Sequence, residues 1–577
     1  MCGIFALLNN GKYEIEKSII EEQFQKGRKR GPEFSKLDYS YMKMVLGFHR
    51  LAINGLNVES NQPIVYNDVV LICNGEIYNY KQLYEYMDVK PMTDSDCEVI
   101  IHLFIRYGIE QTLLMIDGVY SFVLYDNRLN QDLVNYVYVA RDPYGVRPLY
   151  KLYNINGVSD LFSLHGFASE LKCLEYFYNE NIYHYRIEQF EPGTYSVLEL
   201  GNKVNQKWDY IIKNQRYFIP SFSYTCLNNS YVYDEIFNKI SNSLNDAVVK
   251  RCNTTERPIA CLLSGGLDSS LIAALVANYF IKKGKQIETY SIGLQGSEDI
   301  KYAKIVADYI GSKHTEIIVT EKEMFDAIPE VIQAIESYDT TTVRASIGNY
   351  LIGKYIAANS DAKVIFNGDG SDELFGGYLY MNKCSDNIEF DKETRRLLKD
   401  IHLFDVLRSD KSISSNGLEP RTPFLDRTFV NCVLNIPCFY RNHNHYHHPE
   451  KYLLRSSFHE SYFQNSNGRQ ILPHDILWRR KEAFSDGVSP QGRSLFTILQ
   501  EYIVFHYSLD GSNLVPSIEL EKKYYKEIFD GFYPNCSHIL PYFWMPKYTD
   551  AIDPSARTLD VYNSLTTEKK ELNEENE

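Results

Sequence analysis

Residues 257–284, RPIACLLSGGLDSSLIAALVANYFIKKG, place a short buried strand directly before a glycine-rich turn and a helix. The same alternation surrounds this segment. The helix DEIFNKISNSLNDAVVKRC precedes it, and the strand IETYSIGL, the helix DIKYAKIVADYIG and the strand KVIFNGDG follow. Strands that alternate with helices predict a parallel sheet covered by helices on both faces. We therefore expect an α/β domain over residues 234–545.

Residues 2–205 have a different pattern, in which short strands are separated by turns. The segments GIFALL, KMVLGFH, VVLICNG, YSFVLYD, NYVYVAR and GTYSVLEL are rich in β-branched and aromatic residues and are bounded by Gly, Asn, Asp or Pro. Such segments favour antiparallel sheets. Helical spacing of apolar residues occurs between them, as in SDCEVIIHLFIRYG. We predict a separate domain that combines antiparallel strands with helices.

The remaining residues do not indicate a third domain. At 577 residues the chain is long enough for two large domains. The Tyr- and Asn-rich residues 206–233 predict a connector. The polar and charged residues 546–577 predict a disordered tail.

Charge and cysteine usage exclude several classes of protein. A net charge of −15 argues against a nucleic-acid binder, since only KGRKRG (Lys26 to Gly31) is locally basic, and we interpret it as a solvated loop. The eleven cysteines include no CxxC pair, so a zinc ribbon has no support. Without a signal peptide or an apolar run of about 18 residues, we expect a cytoplasmic protein with reduced thiols and no membrane segment.

The first residues, MCGIFALL, raise the possibility of an N-terminal nucleophile. Removal of Met1 would leave Cys2 with its thiol and a free α-amine on the same carbon. An α-amine has a pKa of roughly 7.7–8.0, so it can accept a proton near neutral pH. This arrangement is typical of catalysis by an N-terminal residue. The alternative is that Cys2 only opens an apolar strand.

The turn between strand and helix has the composition of a phosphate site. Ser264, Gly265 and Gly266 form the turn, and Asp268 to Ser270 open the helix. Glycines let the backbone approach an anion closely, and N–H groups at a helix start donate to phosphate oxygens. No Walker lysine follows, so this is not a P-loop. Asp268 beside phosphate requires a bridging cation such as Mg²⁺; a simple glycine-rich turn with a helix cap is the alternative.

A second turn carries acidic residues. VIFNGDGSDELFGGY follows another strand of the predicted sheet and presents Asp369, Asp372 and Glu373. In a parallel sheet both turns lie at the carboxyl ends of strands, where ligands bind. Two acidic clusters that face one anion-binding turn predict a nucleotide held through Mg²⁺.

Taken together and in order, these segments resemble the glutamine-hydrolysing asparagine synthetases over about residues 1–490. The resemblance implies α/β plus α+β architecture: an Ntn-type class II glutaminase domain with antiparallel sheets sandwiched by helices in 2–205, and a parallel α/β ATP-pyrophosphatase-like synthetase domain in 234–545. The glutaminase motifs are RGP, HRLAI, CNGEIYN, SDCEVI and RDPYGVRPLY. The synthetase motifs are LLSGGLDSS, YSIGLQGSED, TTTVRAS, GDGSDELFGGY, LEPRTPFLD, KYLLR and LWRRKEAFSDGV.

The resemblance assigns glutamine hydrolysis to the first domain. Cys2 would attack the carboxamide carbon, and the Asn74 side chain and the Gly75 backbone N–H would form an oxyanion hole. Arg50 would hold the α-carboxylate of glutamine, and Asp96 its α-ammonium. The implied glutamine-binding residues are Arg50, Leu51, Ala52, Ile53, Asn54, Asn74, Gly75, Glu76 and Asp96.

The resemblance assigns aspartate activation to the second domain. ATP would convert aspartate into β-aspartyl-AMP with release of pyrophosphate, and ammonia that arrives through an internal channel would displace AMP. Asp369 matches a position tied to the acyl-adenylate, and Asp268 and Asp372 match Mg²⁺ ligands. Arg344 and Asp426 would bind aspartate or phosphate, and Arg344 and Lys481 would neutralise developing phosphate charge, with a structural salt bridge as the alternative for each of these two. The implied ATP-binding residues are Leu263, Ser264, Gly265, Gly266, Asp268, Ser269, Ile292, Asn367, Gly368 and Lys481.

Three positions depart from the family pattern, and two other functions stay open. Asn367 and Asp369 stand where many relatives have Ser and Glu, and Phe48 replaces a commonly polar residue.

The chain could be an amidotransferase for a different carboxylate acceptor, because fold and nucleotide motifs do not fix the acceptor. A catalytically silent scaffold would have lost the nucleophile or the metal ligands, yet these are present. The expected partners are glutamine, aspartate and ATP, with a homodimer as one option for the assembly.

Overall fold

The structure is a computed structural model of the chain. It describes residues 2–9, 15–128, 134–155, 164–200, 207–221, 233–479, 481, 484–490, 492–508 and 514–559. Within these ranges it contains two antiparallel sheets, one parallel sheet and the helices around them. No helix among these residues has both the length and the apolar character needed to cross a membrane.

The N-terminal domain is built on two six-stranded antiparallel sheets. Its strands are β1 (Gly3–Leu8), β2 (Phe34–Tyr41), β3 (Met44–Arg50), β4 (Ile64–Tyr66), β5 (Val69–Ile77), β6 (Gly118–Asp126), β7 (Asn135–Arg141), β8 (Tyr150–Asn154), β9 (His165–Ala168), β10 (Tyr185–Gln189), β11 (Thr194–Leu200) and β12 (Trp208–Arg216). The order is β10-β8-β9-β1-β3-β2 in one sheet and β12-β11-β7-β6-β5-β4 in the other. All six strands that the sequence predicts are confirmed.

Strand β1 shows why GIFALL has no polar residue. Side chains of a strand alternate between its two faces. Ile4 and Ala6 pack with Ile72 of β5 in the layer between the two sheets. Phe5 and Leu7 point the other way and pack among residues of the flanking helices. Because β1 is buried on both faces, both sets must be apolar.

Among its described residues, the N-terminal domain has four α-helices: α1 (Lys17–Gln25), α2 (Tyr80–Met87), α3 (Val99–Met115) and α4 (Glu175–Asn179). Val99 and Leu103 of α3 pack on Leu71 of β5 and cover the outer face of one sheet. Phe24 of α1 packs on Phe5 at the outer face of the other. The predicted arrangement, antiparallel sheets sandwiched by helices, is confirmed.

The C-terminal domain contains a five-stranded parallel sheet. Its strands are β13 (Ile259–Leu262), β14 (Glu288–Leu294), β15 (Lys313–Val319), β16 (Val364–Phe366) and β17 (Glu419–Arg421), in the order β15-β14-β13-β16-β17. Neighbouring strands pair in parallel throughout. The predicted parallel α/β domain is confirmed.

Helices cover both faces of this sheet. Cys261 of β13 packs in a core that includes Leu244 and Leu271, whereas Ala260 packs on the opposite face with Ile352. The helices are α5 (Tyr233–Asn253), α6 (Leu267–Ile281), α7 (Glu298–Ile310), α8 (Glu321–Asp326), α9 (Ile328–Ile335), α10 (Thr340–Asn359), α11 (Ser371–Phe375), α12 (Asn387–Asp400), α13 (Asp405–Ser414), α14 (Arg427–Leu434), α15 (Cys438–Arg441), α16 (Tyr452–Ser457), α17 (His474–Leu477), α18 (Phe484–Gly487), α19 (Leu495–Ser508) and α20 (Ile518–Phe532).

The structure corrects the connector and the tail. The first half of the predicted connector 206–233 contains β12, which pairs with β11 at the edge of a sheet. Only Trp208 of this strand is buried, and the rest are half-buried or exposed. The strand therefore lacks the alternation of apolar and polar residues by which a strand is predicted from sequence. The tail 546–577 is packed up to residue 559: Asp553 pairs with Arg344, and Leu559 is buried. Residues 560–577 lie outside the described residues.

The two domains meet across a buried, charged interface. Arg30 Nη1 lies 2.8 Å from Glu170 Oε1 and 2.7 Å from Asp410 Oδ2. The other Asp410 oxygen lies 3.3 Å from Nη1 of Arg147. These four side chains are at most 4 % exposed. Loss of one member would leave its partners with fewer opposite charges in a buried environment, which is costly.

We expect Asp410→Ala to lower the free energy of unfolding by about 3–5 kcal/mol, because it removes the buried carboxylate that Arg30 and Arg147 share. Arg30 then keeps only Glu170, and Arg147 only Glu419 at 3.6 Å, as a buried carboxylate partner in the contacts described. Denaturant-induced unfolding monitored by circular dichroism measures this change. Asp308→Ala is the matched control: it removes a solvent-exposed pair with Lys304 and should have little effect. Equal stabilities of the two variants would contradict the importance of this interface.

Two candidate active sites

Cys2 lies directly before β1 and beside β5. Its backbone N–H donates to Asn74 Oδ1 at 3.1 Å, and its Sγ lies 3.7 Å from the Leu51 carbonyl oxygen. Burial raises the pKa of the Cys2 thiol to about 11. The thiol is therefore protonated at neutral pH, and its reaction as a nucleophile requires a base.

Asn74 and Gly75 are adjacent in β5 and have different roles in its geometry. The Asn74 side chain is fully buried, and its Nδ2 donates to Ser169 Oγ at 3.4 Å. A Cβ on Gly75 would lie 2.7 Å from both Tyr120 Cβ and the Val119 carbonyl oxygen. The close approach of β6 thus requires glycine at position 75.

Arg50 ends β3 next to the nucleophile and is held by the loop that follows. Its Nη1 donates to the Asn57 carbonyl at 2.9 Å and to Asn61 Oδ1 at 2.7 Å. Its Nη2 donates to the carbonyls of Asn54 and Gly55. The guanidinium orientation is fixed by these acceptors before any ligand binds.

The predicted glutamine-binding loop, residues 51–54, is anchored to the C-terminal domain. The Ala52 carbonyl accepts from Arg257 Nε at 2.8 Å, and the Ile53 carbonyl accepts from the Glu256 N–H at 3.0 Å. Asn54 Nδ2 donates to the Thr254 carbonyl at 3.1 Å. The shape of the first site therefore depends on contacts made by the second domain.

Two buried carboxylates face each other at this site. Asn54 Nδ2 donates to Glu76 Oε2 at 2.7 Å and approaches Asp96 Oδ1 at 3.5 Å, and the Ile77 N–H donates to Asp96 Oδ2 at 2.6 Å. Burial, the largest cause, raises the pKa of Asp96 to about 6. Burial and the Asp96 charge raise the pKa of Glu76 well above its usual value. A pair of this kind favours a bound cation, such as an ammonium group.

The predicted phosphate turn connects β13 to α6. Ser264 N–H donates to Ser269 Oγ at 3.1 Å, and the two hydroxyls lie 2.9 Å apart. Gly265 has φ +73°, and a Cβ there would lie 2.5 Å from the Ala303 nitrogen. Glycine is therefore needed both for this backbone conformation and for the close approach of α7.

One cavity opens at the carboxyl ends of β13, β14 and β16, and most of the predicted ATP site lines it. Gly265 does not line the cavity, but its positive φ sets the conformation of the turn that does. Gly368 lets the second turn approach the first, because a Cβ there would lie 2.7 Å from the Ser269 nitrogen. The predicted residues that line the cavity are Leu263, Ser264, Gly266, Asp268, Ser269, Ile292, Asn367, Gly368, Asp369, Asp372 and Lys481.

Two lysines bridge the predicted metal ligands inside this cavity. Lys451 Nζ lies 2.6 Å from Asp268 Oδ2 and 2.6 Å from Asp372 Oδ1, and Lys481 Nζ lies 2.6 Å from Asp372 Oδ2. Burial opposes ionisation of Asp372, but the two ammonium groups outweigh it and hold the pKa of this carboxyl below its usual range. Lys451 belongs to the KYLLR motif, whose sequence alone does not indicate this role.

The carboxylates of Asp268 and Asp372 fit a divalent cation that is shared with phosphate. Asp268 Oδ1 is buried and has no hydrogen-bond partner among the described residues. No group of three or more His, Cys, Asp or Glu side chains in the described part of the chain could hold a metal alone. Mg²⁺ commonly uses one or two carboxylates together with substrate phosphates, which is the donor set available here.

The far end of the cavity holds a charged cluster, of which the sequence predicts Asp369 and Glu373 but not Arg408 and Asp405. Arg408 Nη2 lies 3.0 Å from Asp369 Oδ1 and 2.7 Å from Asp405 Oδ1. Tyr378 donates to Glu373 Oε1 at 2.6 Å and to Asp405 Oδ2 at 3.1 Å. Burial raises the pKa of Asp369 in spite of Arg408. For Asp405 and Arg408, the only sequence signal is their three-residue spacing on α13.

Two predicted residues do not reach the cavity. Arg344 is buried in paired contacts with Glu521 and Asp553, at 2.6–2.8 Å. Asp426 caps α14 and pairs with Lys250 at 2.6 Å and with Arg251 at 2.7 Å. Arg344 and Asp426 do not line this cavity, and the ion pairs described here do not support a ligand-binding role, so their binding of aspartate or phosphate stays a prediction.

Known protein families match both parts of this chain, and known proteins match it over nearly its full length. The glutamine amidotransferase domain family matches residues 1–209, and the asparagine synthase family matches residues 239–390 and 383–533. The asparagine synthetase [glutamine-hydrolyzing] of Gallus gallus is 39 % identical and covers 98 % of this chain and 100 % of that protein. Those of Bos taurus (38 %) and Homo sapiens (37 %) each cover 98 % of this chain and 99 % of their own.

These matches define the chain first as a two-domain amidotransferase with a class II glutaminase and an ATP-dependent synthetase domain. More particularly, the chain belongs to the glutamine-hydrolysing asparagine synthetase family.

We expect the KM for glutamine to rise as pH falls below about 6, because the Asp96 carboxyl then becomes neutral and no longer attracts the substrate ammonium. The raised pKa means that this carboxylate is charged above about pH 6 and protonated below it. Initial rates of glutamine hydrolysis at several pH values measure the effect. Asp96→Asn should have a high KM without this inflection; an unchanged inflection would assign it to another group.

Proposed function

We propose that this protein makes asparagine from aspartate with ammonia taken from glutamine, and cleaves ATP to AMP and pyrophosphate. The observation that carries the proposal is the pairing of two sites in one chain. Cys2 lies against Asn74 in one domain, and a phosphate turn faces Asp268 and Asp372 in the other. Family membership supports both halves of the reaction.

In the first half, Cys2 attacks the carboxamide carbon of glutamine. Its buried thiol is protonated at neutral pH, so a base must take the proton. Once Met1 is removed, the α-amine of Cys2 is that base, since it belongs to the same residue and has a pKa near neutrality. Asn74 and Gly75 supply oxyanion donors, and Glu76 and Asp96 hold the substrate ammonium.

In the second half, a β-carboxylate oxygen of aspartate attacks the α-phosphorus of ATP, and pyrophosphate leaves. Lys451 and Lys481 stabilise the charge that develops on the leaving group. Asp268 and Asp372 would hold Mg²⁺, which supplies further neutralisation of phosphate charge when bound. Ammonia then attacks the acyl carbon of β-aspartyl-AMP, and AMP leaves.

The acceptor is assigned to the charged cluster at the end of the cavity, in place of Arg344 and Asp426. Arg408 offers a guanidinium to a carboxylate, and Asp369, Asp405 and Glu373 offer oxygens to an α-ammonium. This set suits a small amino acid with a second carboxylate. A cytoplasmic location and a homodimer stay predictions.

Product analysis tests the reaction. With glutamine, aspartate and ATP, we expect asparagine, AMP and pyrophosphate in equal amounts, because the turn lacks a Walker lysine and places its carboxylates for pyrophosphate release. Mass spectrometry of the nucleotide and amino-acid products measures this. ADP in proportion to asparagine would refute the adenylate route. AMP without asparagine would point to another carboxylate acceptor.

Blocking the N-terminus should separate the two halves. Retention of Met1 or an N-terminal tag turns the Cys2 amine into an amide, which is not a usable base, so glutamine hydrolysis should fall as far as in Cys2→Ala. Synthesis from ammonium chloride should persist and should rise with pH as more free NH₃ becomes available. Matched assays with glutamine and with ammonium chloride measure both activities. A blocked enzyme that hydrolyses glutamine at the native rate would exclude Cys2 as the nucleophile.

A further inference from the structure

Lys451, which bridges the two candidate metal ligands, has an unusual backbone conformation. Its φ of +58° and ψ of 29° lie in the left-handed region, where a residue with a side chain is strained. Such strain is retained only where the surrounding structure enforces it. Lys451 is also only 2 % exposed, and its ammonium group lies between the carboxylates of Asp268 and Asp372.

The cavity leaves Lys451 little choice of position. A Cβ on Gly377 would lie 2.0 Å from Lys451 Cε and 2.1 Å from Asp372 Oδ1. The Lys451 side chain therefore runs directly over the backbone at Gly377, in a space that only glycine leaves open. A small shift of the Lys451 backbone would move Nζ out of reach of Asp268 or Asp372.

The turn that carries Lys451 is held by contacts between Glu450 and Arg455. Arg455 donates from Nε to the Glu450 carbonyl at 2.8 Å and from Nη1 to the Leu477 carbonyl at 2.6 Å, and its Nη2 pairs with Glu450 Oε1. Glu450 Oε1 also accepts from the Lys481 N–H at 3.1 Å. One carboxylate thus contacts the segment that carries Lys481 and belongs to the residue before Lys451.

Aromatic stacking between His448 and Tyr452 also holds the turn that carries Lys451. The His448 and Tyr452 rings lie 3.6 Å apart and only 9° from parallel. These two residues flank the strained position in sequence. His448 belongs to the histidine-rich segment HNHYHH (His443 to His448), whose composition alone predicts a solvent-exposed loop. That interpretation is incomplete, because His443 of the same motif is buried and bonds to Asn382 Oδ1 at 2.8 Å.

We propose that Glu450 is a positioning residue for the synthetase reaction, and that with Arg455 and the His448–Tyr452 stack it sets Lys451 and Lys481 as a pair over the leaving pyrophosphate. The proposal rests on the phosphate-binding role given to the two lysines above. Glu450 touches neither Asp268 nor Asp372 in the contacts described, and it acts through the two lysines. Removal of the Glu450 carboxylate would break both its contact with Arg455, next to Lys451, and its hydrogen bond with the Lys481 N–H.

The test compares Glu450→Ala and Glu450→Gln with Glu460→Ala, a control at an exposed carboxylate ten residues further on. Isothermal titration of Mg²⁺–ATP, without aspartate, measures nucleotide affinity independently of turnover. We expect Glu450→Ala to weaken binding about tenfold, on the scale of one hydrogen bond to a charged group. Glu450→Gln should lose less, because its amide oxygen still accepts from the Lys481 N–H. Glu460→Ala should bind as the unmodified protein does.

Glutamine hydrolysis serves as the folding control, since none of these positions contacts the first site. His448→Ala should also weaken ATP binding, and His448→Phe, which keeps a stacking ring, should restore it. Native ATP affinity in both Glu450 variants, alongside a large loss in Lys451→Ala, would overturn the positioning role. Native affinity and native synthesis in Lys451→Ala would instead refute the phosphate-binding role of that lysine, and the two failures are thus distinguishable.

Discussion

The side chain of Arg30 connects the first active site to the second domain. Its Nε donates to the Cys2 carbonyl at 3.1 Å, while its Nη1 contacts Glu170, Asp410 and Ser414 at 2.7–2.9 Å. A guanidinium withdrawn from water is tolerable only when its donors are satisfied in good geometry. Asp410 and Ser414 both lie on α13 of the synthetase domain. The backbone position of the nucleophile therefore depends on docking of the two domains.

A second buried link reaches the glutamine site from β17. Arg421 Nη2 lies 3.3 Å from Glu76 Oε2, and its Nε lies 2.9 Å from Glu419 Oε1. The same arginine donates to the Thr254 carbonyl at 2.9 Å, which also accepts from Asn54. The carboxylate pair of the glutaminase is thus partly neutralised by a strand of the other sheet. The interface supplies electrostatic conditions as well as mechanical support, so the isolated N-terminal domain would not reproduce this site.

Local signals predicted the elements, and long-range contacts decided where prediction failed. The strands and the SGGLDSS turn are encoded in short segments, so the residues around Ser264 could be placed from sequence. Arg344 could not. On α10 the cavity-facing residues Thr341, Ala345 and Asn349 recur every four positions, whereas Arg344 points to Glu521, 177 residues further along the chain. No local pattern specifies that partner.

The lysines of the second site solve a problem of charge balance. Without neutralisation, Asp268 and Asp372 would repel each other across a partly buried cavity. Lys451 and Lys481 balance them, and the result is a set of two positive and two negative groups within 2.6–3.8 Å. A triphosphate bound with one divalent cation is still net negative, but each ammonium then gains a phosphate partner as each carboxylate gains the cation. Each of the four side chains thus has an oppositely charged partner before and after binding, so nucleotide binding does not require any of them to be buried unpaired. This exchange of ion-pair partners depends on lysine ammonium groups that can move a short distance to a new partner. Arginines, whose planar guanidinium groups are held in a fixed geometry, do this less readily.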